Sequence, residues 1–299
     1  ASYEAIQLRH SEGAEEFTSA RFAELGRGGH SWMRKSLCVD DAGGIYLPSN
    51  DHMHKVVWTG TRLSIDESDG AWTEPYLNEN GFGCGTTPCL MGFGDEDRFV
   101  VFGDGANVVN ITLMWRDDIP EDWKQISGTL SRRIAGFGRA DMGDPSLEEI
   151  QTEQSITVCG YGAMTVNNEP ASIPEGFPPG AKRLFVFWLG SDPAYRPLGL
   201  HKYEWNPETR MLEHAWANNH VSSPNSVPAV SMPSNTVYTF GTRDGQWTIE
   251  GLNWTTGEST FHYLLGGARY NALGGTPQLD IQGRFIWSGP FGLNRLENL

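Results

Sequence analysis

The residues with the most chemical potential are few and carry mainly oxygen and imidazole donors. Glu153 precedes a short apolar stretch, and Asn167 and Asn168 follow its partner stretch. A carboxylate with amides close by is an oxygen-donor set suited to Ca²⁺. The same carboxylate can activate a water for lactone hydrolysis, as a base or through a metal. The alternative is a capped loop whose carboxylate is solvated. His52 and His54 lie two apart, so on a strand both rings leave one face and can share a metal, with Asp51 adjacent. A third ligand then has to come from His30, His201, His220 or His262. Two surface histidines are the plainer alternative. The metal set expected from these patterns is Glu153, Asn168 and His52, holding a divalent cation such as Ca²⁺.

Hydroxyls and one further carboxylate complete the candidates. Gly85-Thr86-Thr87-Pro88 puts two hydroxyls ahead of an apolar strand, either as ligand contacts or as a tight turn bonding its own backbone. Asp104, in Gly103-Asp104-Gly105, has the chemistry of a hairpin turn and also of a cation ligand. Asn110 is either a sequon residue or a buried hydrogen-bonder. The binding residues expected are therefore Thr86, Thr87, Asp104, Glu153, Asn167 and Asn168. The acidic runs at Asp66–Asp69 and Asp95–Asp97 read as solvated turns. No Gly-x-Ser-x-Gly elbow, phosphate-cradling glycine loop or Cys-x-x-Cys-His haem site is present, which disfavours nucleotide and redox chemistry.

Positioning these groups falls to a repeat. Short apolar strands recur at 36–39, 88–91, 155–158, 227–230 and 277–279, and partner strands at 44–47, 98–102, 163–166, 236–239 and 284–287. A third strand ends in Trp followed by turn residues, at Trp58, Trp115, Trp205 and Trp254. A fourth leaves at Arg62, Met211 and Ser259. β-branched and aromatic content with alternation marks these as strands. Four short antiparallel strands per unit cannot bury both faces alone, so the units must stack about an axis. The expected fold is all-β, a β-propeller of about five or six four-stranded blades in a single domain over 1–299. The fifth unit stops one strand short after Phe291–Leu296. An N-terminal strand, Ser2–Leu8 or Phe17–Leu25, is expected to complete it and close the ring. Long loops are expected at 116–154 and 169–183. The first has a capping-box look at Ser146 and Glu149 and a turn of helix at Pro120–Gln125.

The 36 Gly, 17 Pro and 20% charged residues suit a turn-rich fold. A net charge of −15 argues against nucleic acid or an anionic membrane as partner. No apolar run approaches the roughly 20 residues of a membrane span. The chain opens Ala1-Ser2-Tyr3-Glu4 without a secretory signal, and, lacking an initial Met, reads as processed or trimmed. Cys38, Cys84, Cys89 and Cys159 allow three pairings; a small Cys84–Cys89 loop and buried free thiols are both consistent with their settings.

The stretches Val39–Tyr46, Gly85–Gly92, Glu153–Ser155, Val166–Asn168 and Trp254–Glu258 resemble bacterial secreted β-propeller proteins of the quinoprotein-like or gluconolactonase-like kind. The resemblance implies the fold and an extracellular or periplasmic location, and no particular reaction. Two functions follow as expectations. One is a binding or scaffold propeller that engages a small molecule, glycan or protein at one face, with its ligand at the axial channel. The other is a metal-assisted, lactonase-like hydrolase or lyase working at the same channel.

Overall fold

The computed structural model describes Met33 and residues 35–178, 186 and 188–296. It is all-β. The strands fall into five successive antiparallel meanders. Sheet I holds β1 (Cys38–Val39), β2 (Gly44–Pro48), β3 (His52–Trp58), β4 (Leu63–Ser64) and β5 (Trp72–Pro75). Sheet II holds β6 (Cys89–Met91), β7 (Phe99–Gly103), β8 (Asn110–Trp115) and β9 (Ile134–Arg139). Sheet III holds β10 (Thr157–Cys159), β11 (Gly162–Val166), β12 (Leu200–Asn206) and β13 (Met211–Asn218). Sheet IV holds β14 (Ala229–Ser231), β15 (Thr236–Arg243), β16 (Gln246–Asn253) and β17 (Ser259–Gly266), and sheet V β18 (Gln278–Leu279), β19 (Phe285–Gly289) and β20 (Gly292–Leu296).

Each pair of neighbouring sheets shares its own apolar core, which is how a chain of small sheets becomes a propeller. Tyr46, Trp72, Tyr76 and Phe102 pack between sheets I and II. Phe99, Leu113, Trp115 and Trp205 pack between II and III, Met164, Trp216, Leu252 and Trp254 between III and IV, and Phe240, Ile249 and Trp287 between IV and V. The first strands of consecutive sheets adjoin along the axis. The Cys89 thiol donates to the Ile156 carbonyl and the Thr157 hydroxyl to Pro228.

Connections of two to seven residues join strands one and two, and strand three passes to strand four at the same end. We call this the turn end. At the opposite, loop end, strand two passes to strand three and each sheet passes to the next.

One turn-end device occurs twice. Lys55 pairs across the sheet with Trp72, and Lys202 with Trp216. Lys55 Nζ (2.9 Å) and Trp72 Nε1 (3.2 Å) both donate to the carbonyl of Arg116 in sheet II. Lys202 Nζ (3.2 Å) and Trp216 Nε1 (2.9 Å) do the same to Trp254 in sheet IV. At the matching place, three residues before the marker Trp, sheets II and IV carry Thr112 and Gly251, paired with Phe137 and Phe261. The Trp-turn signature thus marks where one sheet fastens onto the next.

Three expectations need correction. The stretch 116–154 is not one loop, because β9 lies inside it. Gly136 and Gly138 erase the alternation there, since Cβ atoms at these positions would meet Leu212 and Tyr203 of sheet III. No helix forms at 146–154; Ile150 instead bridges to Val108, and its N–H donates to the Asn107 carbonyl. Pro120–Gln125 is likewise non-helical. The expected closing strand, Ser2–Leu8 or Phe17–Leu25, lies outside the described residues. All four cysteines are free thiols, and no helix among the described residues is long and apolar enough to cross a membrane.

Candidate functional site

The expected binding and metal residues stand at the loop end, and most are spent on holding that end together. Gly85 comes so close to the connection before sheet III that a Cβ there would lie 2.1 Å from the Thr152 carbonyl oxygen. Only glycine fits. Thr86 is fully buried, and its hydroxyl accepts the Gly103 N–H at 2.9 Å. Thr87 is half-buried beside it.

Asp104 is buried in the connection between β7 and β8. Its Oδ1 accepts the N–H groups of Ala106 and Asn110, and Oδ2 accepts Asn110 Nδ2 at 2.8 Å. The connection is six residues long rather than a two-residue hairpin. Burial raises the Asp104 carboxyl to about 7 against those three bonds, because the charged form loses its water. Asn110 is a buried hydrogen-bonder here, and a sequon role falls away.

Glu153, Thr152 and Asn168 do come together. Asn168 Oδ1 accepts the Glu153 N–H at 2.6 Å and the Thr152 hydroxyl, while Nδ2 donates to Pro224 ahead of sheet IV. Lys35, at the entrance to sheet I, reaches the Glu153 carboxylate at 2.9 Å and its carbonyl at 3.1 Å. That pair joins the first and third sheets past the second, on the side where the axial channel is expected. The acid of the expected cation set is therefore an ion-pair partner. Other amides repeat the pattern: Asn80 Nδ2 donates to Gln151, which donates to Ala106, and Asn225 donates to Asn271.

His52 meets Asp51 at 2.8 Å and stacks on His54 with ring centroids 6.2 Å apart. The two rings share a face as their spacing implied. The surface alternative does not hold for His54, however: it is buried between the hydroxyls of Ser49 and Thr73. Among the described residues no three His, Cys, Asp or Glu side chains converge as a metal cluster.

Asn167 differs from the rest because it borders open space. Its side chain accepts the Glu169 N–H and donates to Leu198. With Arg196, Glu169, Glu148 and Asn219 it lines an off-axis cavity of about 580 Å³. Below it, His201 is buried, and its Nδ1 accepts the Met142 N–H at 3.1 Å. Burial and the neighbouring His214 lower the His201 pKa to about 4, against the pull of Asp141. Lys35, Arg196 and the Asn225–Asn271 pair were not picked out from sequence.

No family model matches this chain. It is 37% identical over 238 residues to an uncharacterized protein of Archaeoglobus fulgidus, a match covering 76% of this chain and 44% of that protein. The chain thus spans less than half the length of this archaeal relative, where the resemblance had implied a bacterial group. Among solved structures it is similar to BamB from Moraxella catarrhalis, with a TM-score of 0.43, 10% identity, and coverage of 88% of this chain and 63% of that one. It is also similar to the quinohemoprotein alcohol dehydrogenase of Comamonas testosteroni, with a TM-score of 0.44, 12% identity, and coverage of 92% and 47%.

Proposed function

We propose that this chain is a binding propeller whose loop end receives a polyhydroxylated ligand, such as a glycan, in the off-axis cavity rather than at the axial mouth. The observation that carries this reading is the contrast between the two places. At the mouth, Glu153, Asn168 and Thr152 are committed to Lys35 and to backbone groups, which supports binding over water activation by Glu153. The cavity of about 580 Å³ has the size of a small-molecule site. Its wall mixes carboxylates and amides with the guanidinium of Arg196, which makes no ion pair with a described residue. Carboxylates and amides both bond sugar hydroxyls, while the acidic side of the wall (Asp144, Glu148, Glu149) repels phosphates and nucleic acid.

Thermal-shift titration against a panel of neutral oligosaccharides, with inorganic phosphate as the anionic control, tests the reading. A saturable rise in Tm with a saccharide, abolished by Arg196→Ala and unchanged by Lys35→Ala, is the expected result. A shift that follows Lys35→Ala instead would return the ligand to the channel mouth. No saturable shift with any saccharide would sink the assignment.

A further inference from the structure

A second cavity, of about 420 Å³, opens on the flank between sheets III and IV. Its walls are the end of β13, the segment that follows it, and the turn from β16 to β17. Asn219 lines this cavity and also the off-axis one of about 580 Å³. A single residue therefore stands between the two. Each volume alone is that of a small-molecule site.

The ridge that carries Asn219 is fixed in place. Asn218 Oδ1 accepts the N–H groups of His220 and Val221, and its Nδ2 donates to the Gly257 carbonyl at 2.8 Å. Gly257 has a φ of 74° and lies so close to Trp216 that a Cβ would meet the indole at 2.4 Å. The second cavity thus rests on a buried ring and a turn with no room to give. Asn219, next in the chain, is exposed, and its amide bonds no described residue. A donor and an acceptor are held out toward both cavities on a rigid support.

The walls on either side of Asn219 carry the same chemistry. The first has Arg196 with Glu148 and Ser146, the second Arg243 with Glu258 and Thr256. Arg243 donates Nε and Nη2 to the buried Glu250 carboxylate, which leaves Nη1 without a described partner. Two like walls about a shared amide suit a ligand built of like units. We propose that the two cavities form one groove, and that its ligand is an oligosaccharide long enough to fill both, with its units on either side of Asn219. The proposal rests on the reading of the first cavity as a glycan site and adds the length of the ligand to it.

Isothermal titration of the full chain with neutral oligosaccharide series, maltose to maltohexaose and cellobiose to cellohexaose among them, tests this. In a series that binds, affinity should rise by about ten-fold from the shortest member to the longest, the size expected of one or two added hydrogen bonds. Ser259→Trp, which fills the second cavity from its rim, should remove that gain and leave the disaccharide bound as in the wild type. His220→Ala, at an exposed ridge position whose ring bonds no described residue, should remove part of it. Disaccharide binding without a gain in the longer members would overturn the groove, while the first cavity kept its assignment. A gain that persists in Ser259→Trp would overturn it as well. No binding in any series would remove the glycan reading itself, and the groove with it.

Discussion

The two ends of the sheets hold the same five units together by different chemistry. At the turn end, neighbours are fastened by large rings and lysine stems: Trp72 with Lys55, and Trp216 with Lys202, each pair on one carbonyl of the next sheet. Lys202 Nζ also lies 4.3 Å from the centre of the Trp254 ring. At the loop end the fasteners are short amides and hydroxyls, with two buried ionisable groups, Asp104 and His201, among them. The difference teaches where change is tolerated. Aromatic fasteners contribute through buried area, which is insensitive to pH and large per residue. Amide fasteners contribute by satisfying buried polar groups, so they leave narrow clefts and titratable positions where a ligand can act.

Removing the ring should therefore cost most. Trp216→Ala deletes a buried side chain that packs on Gly257 and bonds Trp254. It should lower stability in urea by about 3–5 kcal/mol. Trp72→Ala should do nearly the same through the equivalent contact. If only one of the two is costly, the repeat of the device is a likeness of geometry alone and not of energy. Asn168→Ala, the strongest amide fastener at the loop end, should cost about 2–3 kcal/mol, because the Pro224 carbonyl and the Glu153 N–H lose their partner. A loss as large as that of Trp216→Ala would erase the distinction between the ends.

The turn end was the more legible of the two in the sequence. Trp58, Trp115, Trp205 and Trp254 announce it, and the strands before them fall within a few residues of β3, β8, β12 and β16. Fourth strands were legible where alternation continued into β13 and β17. The strand leaving at Arg62 was legible too, as β4, whereas β5 beyond the segment 65–71 was not read, and β9 was hidden because glycine replaced the inward residue. At the loop end the sequence left the use of these polar residues open between a ligand and the protein's own backbone. Whether Asn168 bonds a ligand or the Glu153 backbone depends on partners far off in sequence: Lys35, 118 residues before Glu153, and Pro224, 56 after Asn168. No local pattern encodes such a pairing. Asn167 looked like Asn168 in the sequence, and only the cavity beside it separates the two.

The buried ionisable groups give the finest test of the contrast, because their effects have opposite sign. The folded pKa of His201 is lowered from 6.5 to about 4, so the unfolded chain binds more protons between those values. Stability from His201 is present above pH 6.5 and lost as pH falls toward 4. Asp104 is raised from 3.8 to about 7, so the folded chain binds more protons in that window. Its contribution is greatest below 3.8 and declines as pH rises through 7. Between about pH 4 and 6.5 the two slopes oppose each other, each at about 1.4 kcal/mol per pH unit at most. The wild type should accordingly show little net dependence from these two groups. Removing one should expose the other. In urea melts at pH 4.5, 5.5 and 6.5, Asp104→Asn should gain stability with rising pH relative to the wild type, and His201→Gln should lose it. Equal slopes in the two variants would mean that neither group is as secluded as its burial implies, leaving the loop end no more sensitive to pH than the rings at the other end.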